Sequence, residues 1–269
     1  MLTNRGTRRN VRGVTESAMV SAMRHIISAV LFSTVAMASP NAAELWTLAT
    51  AAAQGPIQAL DKAYQQSGHA VKVQFDTSPN IAKRLAAGEV PDVLVAQAST
   101  VEQLIKDGRA IADSRAPLGR IGVGVAMGRG SRRPDVSSVD TLKAALLAAD
   151  AVVYSQGASG LLVDQMLRKI GVADQIKTKI VQLPTGADVM HRLGTGTGNQ
   201  IGFTMVSEIK LGESQGGALV GPLPAAVQTY TAYDAVVMSK SAAPDAARAF
   251  IRAITTPAAK QVFAAAGWE

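Results

Sequence analysis

The chain has 269 residues, 48% of them hydrophobic and 17% charged, and it contains no cysteine. Those values fit a globular protein with one large domain or two lobes; they exclude a disordered chain, disulfides, thiolate metal sites and a cysteine nucleophile. The formal charge is +7, but residues 1–43 carry five Arg and one Glu, and the remainder carries 22 basic against 19 acidic residues. No basic stripe with interleaved aromatics occurs, which argues against a nucleic-acid partner.

At the N-terminus, Met23-Arg24-His25 leads into the uncharged apolar stretch 26–38. Ala36-Met37-Ala38 and Asn41-Ala42-Ala43 then offer small-residue cleavage positions. Charged, apolar and cleavage regions in that order predict a Sec-type signal peptide, and the apolar stretch is too short for a membrane span. Residues 1–43 are therefore read as signal peptide and upstream segment, with Met19 or Met23 as alternative starts, and the mature chain is expected in the periplasm.

Residues 45–49 read as a first strand, followed by the small-residue loop 50–55 and a helix from Pro56 with Ile57, Leu60 and Tyr64 on one face. Alternation over 71–75 predicts a second strand. Thr77-Ser78 then precede Pro79 at a first helical position, with Ile81 and Leu85 on one face and Gly88 as the stop. Residues 92–96 form a buried-looking strand, and Ser99 is expected to cap the next helix with Glu102 at the capping-box position. A strand at 121–127 ends in the basic, turn-rich stretch 128–134, and 137–148 is helical through Val139, Leu142 and Leu146.

The stretch 152–167, VVYSQGASGLLVDQML, organises the chain. An apolar run stops at the loop 155–160; a helical pattern through Leu161, Leu162, Met166, Leu167 and Ile170 follows, and Gly171 ends it. The first amides of a helix lack partners and carry a partial positive charge. Ser155, Ser159 and the glycines, Gly160 among them, let an anion approach those amides. Alone, either this loop or the Thr77-Ser78 loop is an ordinary helix cap. Two of them facing each other would make an anion clamp.

Strands follow at 179–183, 201–206 and 219–221, with a helix at 186–193 ended by Gly194. The long extended segment 228–238 holds Tyr230 and Tyr233, and helices at 244–254 and 257–266 close the chain. The alternation predicts an α/β fold of two lobes, each a mostly parallel sheet flanked by helices. Lobe 1 would be 44–124 plus 232–269 and lobe 2 125–231, joined by two hinge strands, with the ligand between them.

Other motifs carry less. Gly194-Thr-Gly-Thr-Gly198 follows a helix and precedes a strand, the reverse of a dinucleotide fingerprint. Gly157-Ala-Ser159-Gly160 lacks the nucleophile-elbow spacing. His69 falls in a polar turn, and His191 lies beside Arg192 with no Ser–His order to support a secreted hydrolase. Asp188 sits near a helix start, where it either complements the dipole or contacts ligand. Carboxylates are scattered without metal-ligand spacing, and neither metal nor cofactor is expected.

Several pieces recur together: the loop at 49–53, Ser78-Pro-Asn-Ile-Ala-Lys-Arg-Leu85, Ala87-Gly88 with Pro91-Asp92-Val93, and Pro134-Asp-Val-Ser-Ser-Val-Asp-Thr-Leu142. Tyr154-Ser155 with Ser159-Gly160, Gly186-Ala-Asp-Val189, Ile201-Gly202-Phe203 and Gly221-Pro-Leu-Pro224 follow in order. In this arrangement the chain resembles the periplasmic solute-binding proteins of ABC transporters, and among them the molybdate-binding, ModA-like family. The resemblance implies a type II two-lobe fold, no catalysis, and delivery of a ligand to an ABC permease in the inner membrane. It also implies a tetrahedral oxyanion held by hydroxyls and backbone amides. Carried over by position, Thr77 and Ser78 keep the second loop's hydroxyls. Ala52 stands where the molybdate binders place a serine, and Met205 where they place a tyrosine; both changes remove donors.

The expected ligand contacts are Ala52, Ala53, Thr77, Ser78, Asn80, Ser155, Ser159, Gly160, Asp188 and Met205. The expected ligand is a small anion of the molybdate or tungstate type. A small organic carboxylate, or a sensor-associated binding module, stands as the alternative. The protein is expected to be a monomer.

Overall fold

A computed structural model describes residues 44–66, 68, 70–128 and 130–269. The signal-peptide expectation for 1–43 and the solvated-turn expectation for His69 lie outside the described residues.

The first half opens with strand β1 (Leu45–Thr50), a 3-10 turn over Ala51–Ala53 and helix α1 (Gln54–Gln66). Strand β2 (Val71–Asp76), helix α2 (Ser78–Ala86), strand β3 (Val93–Gln97) and helix α3 (Ala98–Lys106) follow. The N-cap of α2 is Thr77, whose hydroxyl accepts from the Asn80 N–H, with Pro79 in the first turn where its missing N–H costs nothing. The N-cap of α3 is Gln97, not Ser99; the helix begins two residues earlier than the capping-box pattern predicts, and no side chain caps it.

Strand β4 (Ala116–Met127) is five residues longer than its apolar run suggests. Its first part pairs antiparallel with β9 (Tyr230–Val237) and its second part with β7 (Gln200–Met205) and β8 (Ala218–Pro222). A register shift between Pro117 and Gly119 bends the first part, and Gly119 adopts φ 128°, a region open to glycine.

The second half continues with helix α4 (Val139–Ala148), strand β5 (Ala151–Ser155), helix α5 (Ala158–Lys169), strand β6 (Ile180–Leu183) and helix α6 (Gly186–Thr195). After β7 the chain turns directly into helix α7 (Val206–Gly212), which the sequence pattern did not suggest. Helices α8 (Pro244–Ile254) and α9 (Pro257–Ala265) come last and pack on α1.

The strands run in the order β2-β1-β3-β9-β4-β7-β5-β6, with β8 on the other edge of β4's second part. β1 is parallel to β2 and β3, and β5 is parallel to β6 and β7. The long strands β4 and β9 run antiparallel to their neighbours and carry the chain between the two sets. This is a mixed α/β fold of the periplasmic-binding-protein-like class. Its main core gathers Leu45, Ile57, Val95 and Phe250 from one side and Leu142, Val152, Leu167 and Phe203 from the other. The tips of the parallel strands, where β1, β2, β5 and β7 hand over to helices, lie together.

Candidate functional site

A small cavity of about 20 Å³ opens at those tips. Thr50, Ala51, Ala52, Thr77, Ser78 and Tyr233 line it from the first set of strands; Ser155, Gly157, Ala158, Ser159, Gly186, Met205 and Glu208 line it from the second. A neighbouring, larger space of about 220 Å³ shares Ala51, Thr77 and Glu208 with it. None of the residues lining either space is Lys, Arg or His.

Four helices begin at the cavity, α7 among them through its N-cap, Met205. α2 brings Thr77 and Ser78. α5 begins at Ala158, earlier than the Leu161 pattern predicts, so Ser159 and Gly160 lie in its first turn. Its N-cap is Gly157, whose N–H donates to Ser155 Oγ at 3.2 Å. Gly160 allows this fold-back, because a methyl group there would overlap the Ser155 carbonyl oxygen. α6 begins at Gly186, which faces Thr204 and Glu208; a methyl group there would stand 2.7 Å from Glu208 Oε1.

A row of hydroxyls crosses the second wall. Ser155 Oγ and Ser159 Oγ are 3.1 Å apart, and Ser159 Oγ and Thr204 Oγ1 are 3.4 Å apart. Thr204 Oγ1 donates to Glu208 Oε2, which also accepts from the Met205 N–H at 3.2 Å. Ser155, Ser159 and Thr204 are buried. Burial raises the Glu208 carboxyl above the usual glutamate range, against the two bonds that favour its charged form. Facing it, Tyr233 is 1% exposed, within hydrogen-bonding reach of the Thr50, Ser78 and Gln97 side chains. Burial first, and the Glu208 charge second, push its hydroxyl up to about 12.

Of the residues named from sequence, Ala52, Thr77, Ser78, Ser155, Ser159 and Met205 line the cavity. Ala53, Asn80, Gly160 and Asp188 are not among its lining residues. Ala53 is fully buried in the core. Asn80 turns outward to Asp76 Oδ1 at 2.9 Å. Gly160 packs under Ser155. Asp188 closes a capping box with Thr185, its carboxylate accepting from the Thr185 N–H at 3.0 Å. Arg84 is held by Glu89, Asp76 and Gln74, His191 is exposed, and Arg192 donates to Gln200. Thr50, Ala51, Gly157, Ala158, Gly186, Glu208 and Tyr233 line the cavity without having been named from sequence, and of these Glu208 and Tyr233 bring ionisable groups. Among the described residues no group of three His, Cys, Asp or Glu side chains converges on a metal site.

The geometry gathers neutral donors, helix starts and one carboxyl group. Known proteins resemble the chain in sequence or in fold. A Pseudomonas aconitate isomerase is 30% identical over 233 residues, covering 82% of this chain and 86% of that protein. The periplasmic molybdate-binding protein of Azotobacter vinelandii superposes with a TM-score of 0.68 at 20% identity, over 84% of this chain and 99% of that one. The sulfate-binding protein SubI of Mycobacterium tuberculosis H37Rv does so with a TM-score of 0.62 at 17% identity, over 84% and 86%. At these identities the two structures establish likeness of fold, of the ModA-like type. The family model described as bacterial extracellular solute-binding protein matches residues 45–269, and the chain belongs to that family.

Proposed function

We propose that this protein captures a small anion between two lobes and delivers it to an ABC permease in the inner membrane, having been exported to the periplasm. The lobes would be 44–124 with 232–269, and 125–231, with β4 and β9 as the hinge. One observation carries the reading: a single cavity is walled from both sides by uncharged hydroxyls and helix starts, with no cation among its lining residues. Amides at a helix start stabilise an anion through fixed dipoles, and a ligand bridging both walls favours the closed form. Thr77, Ser78, Ser155 and Ser159 would supply hydroxyls, and the backbone beside Ala52 and Met205 would take over where hydroxyls are missing. The protein acts as a monomer in this reading.

The ligand is a molybdate- or tungstate-type oxyanion or a small organic carboxylate. The test is a thermal-shift screen with molybdate, tungstate, sulfate, phosphate and trans-aconitate. A ligand at a hundred times its dissociation constant adds about 2.7 kcal/mol of stability. A shift with any of these supports anion capture, and no shift across the panel overturns it.

A second reading is favoured by the aconitate isomerase relative and by a carboxyl facing a tyrosine in the cavity. In it, the cleft moves a proton within a bound unsaturated polycarboxylate. Incubation with cis- and trans-aconitate, followed by proton NMR, separates the two: interconversion at catalytic protein concentration supports the isomerase, and binding without interconversion supports capture alone.

A further inference from the structure

We propose that the cleft takes its anion together with one proton, shared between the ligand and Glu208, so that Glu208 selects which anions the protein accepts. The inference rests on the anion-capture reading.

It follows from counting hydrogens along the second wall. Ser155, Ser159 and Thr204 own three hydroxyl hydrogens. The links Ser155–Ser159, Ser159–Thr204 and Thr204–Glu208 consume three. With Glu208 ionised, every hydroxyl hydrogen in the row points along it toward the carboxylate, and the row itself shows an anion only lone pairs, leaving the α5 amides as the donors of that wall. One added proton leaves one hydrogen over. Its place is Glu208 Oε1, because Oε2 is already engaged by Thr204 and Met205. Oε1 lies against Gly186, where the missing side chain leaves it beside the cavity.

No cationic side chain lining the cavity supplies the missing positive charge. Tyr233 on β9 faces Glu208 as a neutral phenol. Asp76 on β2 borders the adjoining space and is paired with Arg84 at 3.6 Å. The start of α6 brings its amides, which favour an ionised carboxyl, and its Asp188 carboxylate is engaged by Thr185. From α1, Gly55 meets α7 at Leu211, in an uncharged first turn. On α7 itself Lys210 turns away to the Ala265 carbonyl, and beyond it Glu213 accepts from the Leu219 N–H. A carboxylate and an anion in one cavity without a cation repel unless a proton lies between them. Anions that keep a proton near neutrality, such as hydrogen phosphate or a half-protonated polycarboxylate, bring it with them. Sulfate and molybdate must wait for Glu208 to take one from solvent.

The experiment uses the panel above. For the most tightly bound member that carries no proton of its own at the upper end of the range, the dissociation constant is measured from about pH 5.5 to about pH 8.5 with the wild type and with Glu208→Gln. The wild type should lose affinity by about tenfold per pH unit at the upper end, beyond any titration of the ligand itself. Glu208→Gln should bind with that extra slope gone, because its amide donates at every pH. A wild-type profile that follows ligand titration alone, or an extra slope that survives in Glu208→Gln, overturns the inference and leaves anion capture standing. A silent panel overturns both. Should the variant fail to fold, the wild type decides by itself. Adding the anion to weakly buffered protein at the upper end of the range should draw up to one proton per site beyond ligand titration, and no uptake overturns the inference.

Discussion

The Ser207 hydroxyl donates to the carbonyl oxygen of Ala52 at 2.6 Å, joining positions 155 residues apart. Ser207 lies in α7 and Ala52 in the turn that follows β1, so this buried bond ties the two walls of the cavity together beside the candidate site. Ser207→Ala strands a buried carbonyl and should cost about 1–2 kcal/mol. Urea unfolding should show a lower midpoint with an unchanged m value.

Gly160 offers a sharper case. Any side chain there overlaps the Ser155 carbonyl, so Gly160→Ala must push α5 off β5 or open the Ser155 turn. The expected loss is about 3 kcal/mol, at the upper end for overpacking. Thermal melts of Gly160→Ala beside Gly171→Ala give the contrast: Gly171 has open space around it, and its loss should be smaller, arising from its φ of 73°.

Much of this architecture is legible in the sequence. Regular periodicity marks the helices that bury one face, such as α8 with Ala247, Phe250, Ile251 and Ile254, and the strands flanked by turn residues. Helix α7 escapes because Val206–Gly212 is short and follows β7 without a Gly or Pro break. With α7 goes Glu208, whose place in the cavity depends on the turn out of β7. Tyr233 reads as an ordinary strand residue; only the antiparallel seating of β9 beside β3, with Tyr233 opposite Gln97, brings it to the site. Asn80 and Asp188 illustrate the reverse. The loops were identified, but each side chain satisfies its own helix start, a choice that local sequence does not reveal.

Arg115 donates to Asp234 at 2.6 Å, and the aspartate side chain is 5% exposed. Removing the arginine leaves a buried carboxylate on a strand shared by both halves. Arg115→Met should cost about 2–3 kcal/mol, in keeping with a bond between charged groups. The double variant Arg115→Met/Asp234→Asn should recover part of that loss in a denaturant series, since the uncompensated charge is gone.

Thr77 has two separable roles. Its oxygen accepts in the α2 cap, and its hydrogen remains available to a ligand. Thr77→Ala should lower stability by about 1 kcal/mol and weaken anion binding as well. Thr77→Ser should restore both, and Thr77→Asp, which caps but repels, should restore stability while abolishing binding. Melting temperature with and without ligand reads the two effects apart.

Alkaline titration tests the Tyr233 environment. Its folded value, near 12, exceeds the unbound tyrosine value of 10.0, so its stabilising contribution is complete below pH 10 and disappears as pH rises toward 12. Two pH units correspond to ~3 kcal/mol. Wild type should therefore lose stability over that interval faster than Tyr233→Phe, measured by urea midpoints with tyrosinate absorbance followed in parallel. Equal losses would place the phenol in a wetter setting than the structure gives it.

The cavity wall and its backing combine two kinds of position. Gly186 on the wall and Gly160 behind it have no room for a side chain, whereas Ala52, Ala158 and Met205 line the cavity with side chains. In the proposed reading, a lineage descending from this chain changes what it binds by rewriting three letters while the two glycines stay as they are. Kinship at the glycines is then no guide to diet, and a designer who wants a new cargo has three addresses at which to begin.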